Sequence, residues 1–310
     1  MTKYRILSLD GGGLRGIITA RLLHRLNEES SIAGWLDDTT LIAGTSTGGI
    51  LGLGLAANMT PNEIMKIYLK NGRKIFDDSL WDNIRDLGKV VGADYSNKNL
   101  KLVLKNTFKE TTLSDLSKKV VIPTFDLDNE SETEAQRTWK PKIFHNYKGT
   151  DSDGAYLVRN VALYTSSAPT YFPSANGYID GGVYANNPSM VALCQAISSK
   201  NDLSEKTTLD KVVLLSLGTG VSLKYIKGDT LDWGLSQWVK PLIDVLMDGV
   251  AGVSDYQARQ LLGDSYCREQ VIFGASEVIE LDAVSKMDRM VSIADGHDLS
   301  ATIAWINRYW

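Results

Sequence analysis

The sequence predicts an α/β fold: a central, largely parallel sheet flanked by helices, with a helical C-terminal portion. Three observations predict it. Short apolar runs alternate with stretches of helical spacing, the pattern of strands joined by crossover helices. Val212, Val213, Leu214 and Leu215 form a continuous apolar run, as a strand covered on both faces requires. Clusters of glycine fall where a strand should hand over to a helix, at Gly11–Gly16 and at Gly44–Gly49.

Taken in order, Tyr4-Arg5-Ile6-Leu7-Ser8-Leu9 reads as the first strand. Ile18, Leu22, Leu23 and Leu26 then recur at helical spacing. Thr40 to Ala43 is a second strand ending at Ser46, and Thr47 to Asn58 a small-sided helix able to pack closely on the sheet. Thr60-Pro61-Asn62-Glu63 opens another helix, with a capping threonine, proline at the first position and glutamate at the third. Strands are expected at Lys119–Phe125 and Lys142–Tyr147, joined by the polar stretch from Asp126 to Arg137. Val158 to Ser166 is helical, Tyr178-Ile179 is a short strand into Asp180, and Pro188 opens a further helix. Lys211 to Leu217 is the clearest buried strand, and the last hundred residues are mostly helical in pattern. Without a convincing interdomain linker, the chain reads as one domain over 1–310, with a motif-bearing core at about 4–220 and the helical portion at about 221–310.

Composition narrows the function classes. The 310 residues are 43% hydrophobic and 23% charged, enough for a full core. A net charge of −4 offers no electrostatic case for a nucleic acid polymer as partner. Cys194 and Cys267 lie far apart, consistent with a reducing, cytoplasmic setting, although one bridge between them is left open. The N-terminus runs into the first strand instead of a secretory leader. The uncharged stretch from Thr39 to Asn62 is interrupted by Gly44, Gly48, Gly49, Gly52 and Gly54, which favours a strand, turn and helix over a bilayer span.

Gly44-Thr45-Ser46-Thr47-Gly48 matches the G-x-S-x-G elbow, which lifts a serine hydroxyl on a sharp strand-to-helix turn. Ser46 is the candidate nucleophile; a serine attacks only when a neighbouring base takes its proton. The run Asp10-Gly11-Gly12-Gly13-Leu14-Arg15-Gly16 places small residues where their N–H groups can hold a developing oxyanion. Asp180, followed by Gly181 and Gly182, is a carboxylate available as that base once burial raises its pKa.

Competing readings attach to the same residues. Gly11-x-Gly13-x-x-Gly16 also fits a dinucleotide fingerprint, but the second strand ends in Gly44-Thr45-Ser46 where that reading needs a ribose-binding acid. Ser46, Asp180 and His297 follow the α/β-hydrolase order of serine, acid and histidine, so a histidine-dependent hydrolase or acyltransferase stays open. His24 and His145 are weaker candidates, on a helix and in a strand. Asp151-Ser152-Asp153-Gly154 has the start of a calcium loop without the closing glutamate.

The combination of Asp10-Gly11-Gly12-Gly13-x-Arg15-Gly16, Gly44-x-Ser46-x-Gly48 and Asp180-Gly181-Gly182 resembles the patatin-like phospholipases. Thr165-Ser166-Ser167-Ala168-Pro169-Thr170-Tyr171-Phe172-Pro173 extends the likeness, which runs from about Arg5 to Cys194 and more loosely through Ser216–Gly220. The resemblance implies a lipid acyl hydrolase of the phospholipase A or lysophospholipase type, working through a serine–aspartate dyad without a catalytic histidine. Ser46 would be the nucleophile, Asp180 the base, Gly11, Gly12 and Gly13 the oxyanion hole and Arg15 a supporting residue. Neither metal nor organic cofactor is required. The implied partners are a phospholipid or lysophospholipid and, transiently, a membrane surface; an activator or homo-oligomer is compatible, and no motif selects either.

With a lipid substrate, the helical stripe Trp233, Leu235, Trp238, Val239, Leu242, Ile243, Leu246 and Met247 reads either as core or as an interfacial surface. Trp305, Ile306, Tyr309 and Trp310 make the C-terminus aromatic, for docking onto the body or a membrane.

Overall fold

The computed structural model describes residues 2–76, 93–223, 225–226, 228, 232–274 and 277–310. Its strands are β1 (Tyr4–Leu9), β2 (Leu41–Gly44), β3 (Lys119–Asp126), β4 (Lys140–His145), β5 (Tyr178–Asp180), β6 (Val212–Leu217) and β7 (Tyr266–Glu269). The helices of four residues or more are α1 (Gly16–Glu28), α2 (Thr47–Ala56), α3 (Pro61–Ile75), α4 (Lys98–Phe108), α5 (Val158–Thr165), α6 (Gly182–Ala185), α7 (Ser189–Ala196), α8 (Leu235–Leu262), α9 (Met287–Gly296) and α10 (Ser300–Tyr309).

The sheet runs β4-β3-β2-β1-β6-β7, and β5 also pairs with β3. β3, β2, β1, β6 and β7 are parallel, whereas β4 and β5 join β3 antiparallel. Strand alternation divides the core between two faces. Ile6, Leu41, Ala43, Val121 and Leu214 point to the side covered by α7 and α8. Leu7, Leu9, Ile42, Leu215 and Leu217 point to the side of α1 and α9, and Val120 and Ile122 face α4 and α5. Both faces are therefore apolar, which explains the continuous apolar run in β6.

Most expected elements are present. Thr60 accepts a bond from the Glu63 amide at 3.2 Å and Glu63 returns one from the Thr60 amide at 2.8 Å, the capping box read at the start of α3. Two expectations need correction. The strand placed at Lys142–Tyr147 lies two residues earlier, because its register is set by pairing Val121 with His145. The C-terminal portion is not helical throughout: β7 forms the sheet edge beside β6, a short segment whose Arg268 and Glu269 mask its strand pattern. Among the described residues, no helix is long and apolar enough to cross a membrane. The Thr39–Asn62 stretch is β2, the turn and α2. At the C-terminus, Trp310 packs edge-on against buried Trp35, so part of the aromatic terminus docks onto the body.

Candidate active site

Ser46 stands between β2 and α2 with φ 55° and ψ −122°, a conformation that costs a non-glycine residue about 1–3 kcal/mol and persists only where its surroundings enforce it. The enforcement is local. The Ser46 amide donates to Thr165 Oγ1 at 3.0 Å, and Thr165 Oγ1 donates to the Pro123 carbonyl at 2.6 Å, tying the elbow to β3. The flanking glycines permit the turn by close approach. A Cβ on Gly44 would lie 2.1 Å from the Gly48 carbonyl oxygen, and one on Gly48 would lie 2.2 Å from that of Leu9. The first turn of α2 begins at Thr47, so its N-terminal amides and dipole face the same space as the Ser46 hydroxyl.

The sheet explains how Asp180 arrives there. β2 pairs with β3 from Leu41 opposite Lys119 to Ala43 opposite Val121 and goes no further. β5 takes up the edge that β2 leaves, placing Asp180 opposite Thr124. Asp180 is 3% exposed, its Oδ1 accepts the Gly182 amide at 2.7 Å, and the Ser46 side chain is its other hydrogen-bond partner. Burial raises its pKa from 3.8 to about 7, against the opposing pull of the Ser46 and Gly182 hydrogen bonds.

The glycine loop after β1 faces the same cavity, with one change to the expected donor set. The Gly11 amide donates to the Asn186 carbonyl at 3.0 Å and is spent on it. Gly12 and Gly13 line the cavity, and their amides have no acceptor among the described residues. The loop is also closed by protein neighbours where a dinucleotide reading needs room: a Cβ on Gly12 would lie 2.2 Å from Thr219 Oγ1. Asp10 is held by Arg268 of β7, through Nη1 at 2.9 Å and Nη2 at 2.5 Å, and Arg268 also donates to Ser216 Oγ at 2.8 Å. Burial works against the Arg268 charge, but Asp10 outweighs it and holds the guanidinium above its ordinary pKa. Arg15 does not line the cavity. Burial lowers its pKa, and the carboxylates of Asp248, Asp244 and Glu280 pull the other way.

The cavity holds about 190 Å³ and is walled almost wholly by apolar groups. Ala168, Pro169, Tyr171 and Phe172 form one side, so the Thr165–Pro173 segment is a cavity wall. Phe172 meets Phe76 at 5.5 Å between ring centroids. Leu246 and Met247 of α8 close another side. Of the C-terminal stripe, Trp233 and Trp238 stack edge-on at 5.2 Å, while the side chains of Leu235, Val239 and Ile243 lie outside the described residues.

Other sequence candidates are placed elsewhere. His297 does not line the cavity; its Nε2 lies 2.7 Å from Glu269 Oε1, between α9 and α10. His24 faces Glu28 along α1 at 3.9 Å. His145 is buried in β4, with its pKa lowered by that burial. Asp153 takes Lys142 Nζ at 2.5 Å, and no cluster of metal-ligating residues occurs among the described ones. Cys194 and Cys267 are both free, which answers the open question of a bridge.

Sequence reasoning missed Thr165 as an anchor of the elbow and Arg268 altogether. Thr165 was legible only as part of the Thr165–Pro173 segment, and Arg268 carried no signal because a lone arginine in a short strand has no pattern. Arg268→Met strands the Asp10 carboxylate in the interior, and a loss of about 3–5 kcal/mol is expected in chemical denaturation. Adding Asp10→Asn removes the unpaired charge and should recover much of that loss.

These features define a hydrolase-type elbow on an α/β sheet, facing an apolar cavity. The patatin-like phospholipase family model matches residues 7–193, and the chain belongs to that family. Patatin-like protein 2 of Oryza sativa subsp. indica is 30% identical over 344 residues, spanning 94% of this chain and 82% of that protein. A cGAMP-activated phospholipase of Pseudomonas aeruginosa is 33% identical over 271 residues, spanning 85% and 77%. The crystal structure of VipD from Legionella pneumophila aligns with a TM-score of 0.39 and 12% identity, over 96% of this chain and 67% of that one. Family membership supports lipid hydrolase activity.

Proposed function

We propose that the protein hydrolyses fatty acyl esters of phospholipids or lysophospholipids through a Ser46 acyl-enzyme, with Asp180 as the only side-chain base. The observation that carries the reading is the buried Asp180 carboxyl, raised to about 7, with the strained Ser46 as its side-chain partner. Near neutral pH such a carboxyl is poised both to take and to return a proton. Ser46 Oγ attacks the ester carbonyl as its proton passes to Asp180. The carbonyl oxygen becomes an oxyanion beside the Gly12 and Gly13 amides, each good donor contributing about 3 kcal/mol. The intermediate collapses, the alcohol leaves with the proton from Asp180, and the acyl group stays on Ser46. Asp180 then takes a proton from water as its oxygen attacks the acyl carbonyl. Return of that proton to Ser46 releases the fatty acid.

The test is mass spectrometry of fatty acids and lysolipids released from a mixed phospholipid panel. Release by the parent protein and not by Ser46→Ala is expected; equal release by both rejects the reading.

A membrane surface is the natural source of such a substrate, and α8 presents a face suited to it. Leu242, Val245, Leu246, Val253 and Tyr256 are exposed at helical spacing along one side, and Leu246 also lines the cavity. Entering the lipid boundary removes this apolar area from water, at roughly 25 cal/mol per Å². Val245→Glu with Val253→Glu should weaken binding to phosphatidylglycerol vesicles in a flotation assay while leaving the melting temperature unchanged. Undiminished flotation removes α8 from the interface.

A further inference from the structure

A second, smaller chamber lies between α2, α3 and α4, separate in its far half from the cavity at Ser46. It holds about 30 Å³ and shares Ile50, Tyr68, Ile75 and Leu100 with the larger cavity. Those four side chains are therefore a common partition, with Ser46 on one side. On the other side the lining continues to Gly54, Val103, Leu104 and Thr107. The chamber follows α2 away from the elbow. Gly54 lies eight residues past Ser46, about 12 Å along a helix rising 1.5 Å per residue.

Its chemistry selects one kind of occupant. Among the described residues no charged side chain lines it, and the hydroxyls of Tyr68 and Thr107 already have partners. Thr47 Oγ1 donates to Tyr68 Oη at 2.7 Å, and Tyr68 Oη donates to the Thr47 carbonyl at 3.0 Å. Thr107 Oγ1 donates to the Val103 carbonyl of its own helix at 2.9 Å. A phosphate or other polar head group would lose its hydration there with nothing to replace it. A hydrocarbon tail loses nothing and gains by leaving water.

We propose that this chamber receives the distal part of the substrate's acyl chain, passed between Ile50, Ile75 and Leu100, and that α4 thereby sets the chain-length preference. The proposal rests on the Ser46 hydrolase reading for the identity of the chain that enters. Val103 and Thr107, one helical turn apart, form the outer wall and are partly exposed, so a larger side chain at either has a route inward without displacing a core residue.

The experiment compares Val103→Phe and Thr107→Phe with the parent, each checked for an unchanged melting transition. The first readout is the kcat/KM ratio for p-nitrophenyl palmitate over p-nitrophenyl butyrate. Filling the chamber should lower this ratio by about tenfold or more, the effect of losing one or more methylenes' worth of apolar contact. The second readout is binding of cis-parinaric acid to Ser46→Ala protein, with and without each phenylalanine, which needs no catalysis. Weaker binding in the filled variants is expected. An unchanged ratio, or undiminished parinaric acid binding in both filled variants, overturns the subsite while leaving the hydrolase reading intact. A parent that cleaves neither ester, yet binds parinaric acid in a Val103-sensitive way, overturns the hydrolase reading and keeps the apolar subsite.

Discussion

Asp180→Asn should lower kcat/KM on acyl esters by about ten-thousandfold or more, toward the roughly millionfold loss that follows removal of the proton acceptor in a serine hydrolase. Asparagine keeps the size and can still accept the Gly182 amide, but it cannot take the Ser46 proton. In the parent protein, kcat/KM should rise with pH through about 7, because only the ionised carboxyl serves as base. His297→Ala should leave that profile in place, since His297 bonds to Glu269 away from the cavity.

Stability is expected to move in the opposite direction. The folded Asp180 binds its proton more tightly than the unfolded residue, whose ordinary value is 3.8. The native state therefore holds more protons between about 4 and about 7, and stability is lost as pH rises through that window. The slope is on the order of 1.4 kcal/mol per pH unit. Asp180→Asn has no such titration, so its melting temperature should overtake the parent's as pH increases. Parallel curves for the two proteins across that range would mean that Asp180 is not held protonated by its surroundings.

Ser46→Ala should abolish labelling by a fluorophosphonate probe and lower esterase activity by about a millionfold, down to the residue supplied by binding and the glycine loop. Equal labelling of parent and variant would move the nucleophile elsewhere. The backbone at Ser46 adds a second expectation. Alanine retains the positive φ and its strain, whereas glycine relieves it. Ser46→Gly should therefore exceed Ser46→Ala in stability by about 1 kcal/mol. Both are inactive, so the difference isolates the energy stored in the elbow.

Much of the site is written in short-range chemistry. Gly44, Ser46 and Gly48 lie within one turn, and the close approach that Gly44 permits is to Gly48 four residues on, so their spacing signals the elbow, although the carbonyl that constrains Gly48 itself belongs to Leu9 in β1. The capping box at Thr60 and the apolar run of β6 are legible for the same reason: period, caps and turns depend on near neighbours. Asp180 could be named as a candidate from its Asp-Gly-Gly context and its family likeness. Its raised pKa depends on burial against residues far away in the chain, and no local pattern encodes that.

The amino-acid sequence by itself determined the fold class, the strand-to-helix elbow at Ser46 and the candidate carboxylate, because these follow from local periodicity and motif. Tertiary structure alone decided which candidates meet. It spends the Gly11 amide on Asn186, sets Arg268 of β7 against Asp10, and sends His297 to Glu269. It also fills the edge beyond β2 with β5, so that Asp180 reaches Ser46. Each of these contacts joins residues separated by tens to hundreds of positions, and their partners are selected by strand order and register, which no single segment carries.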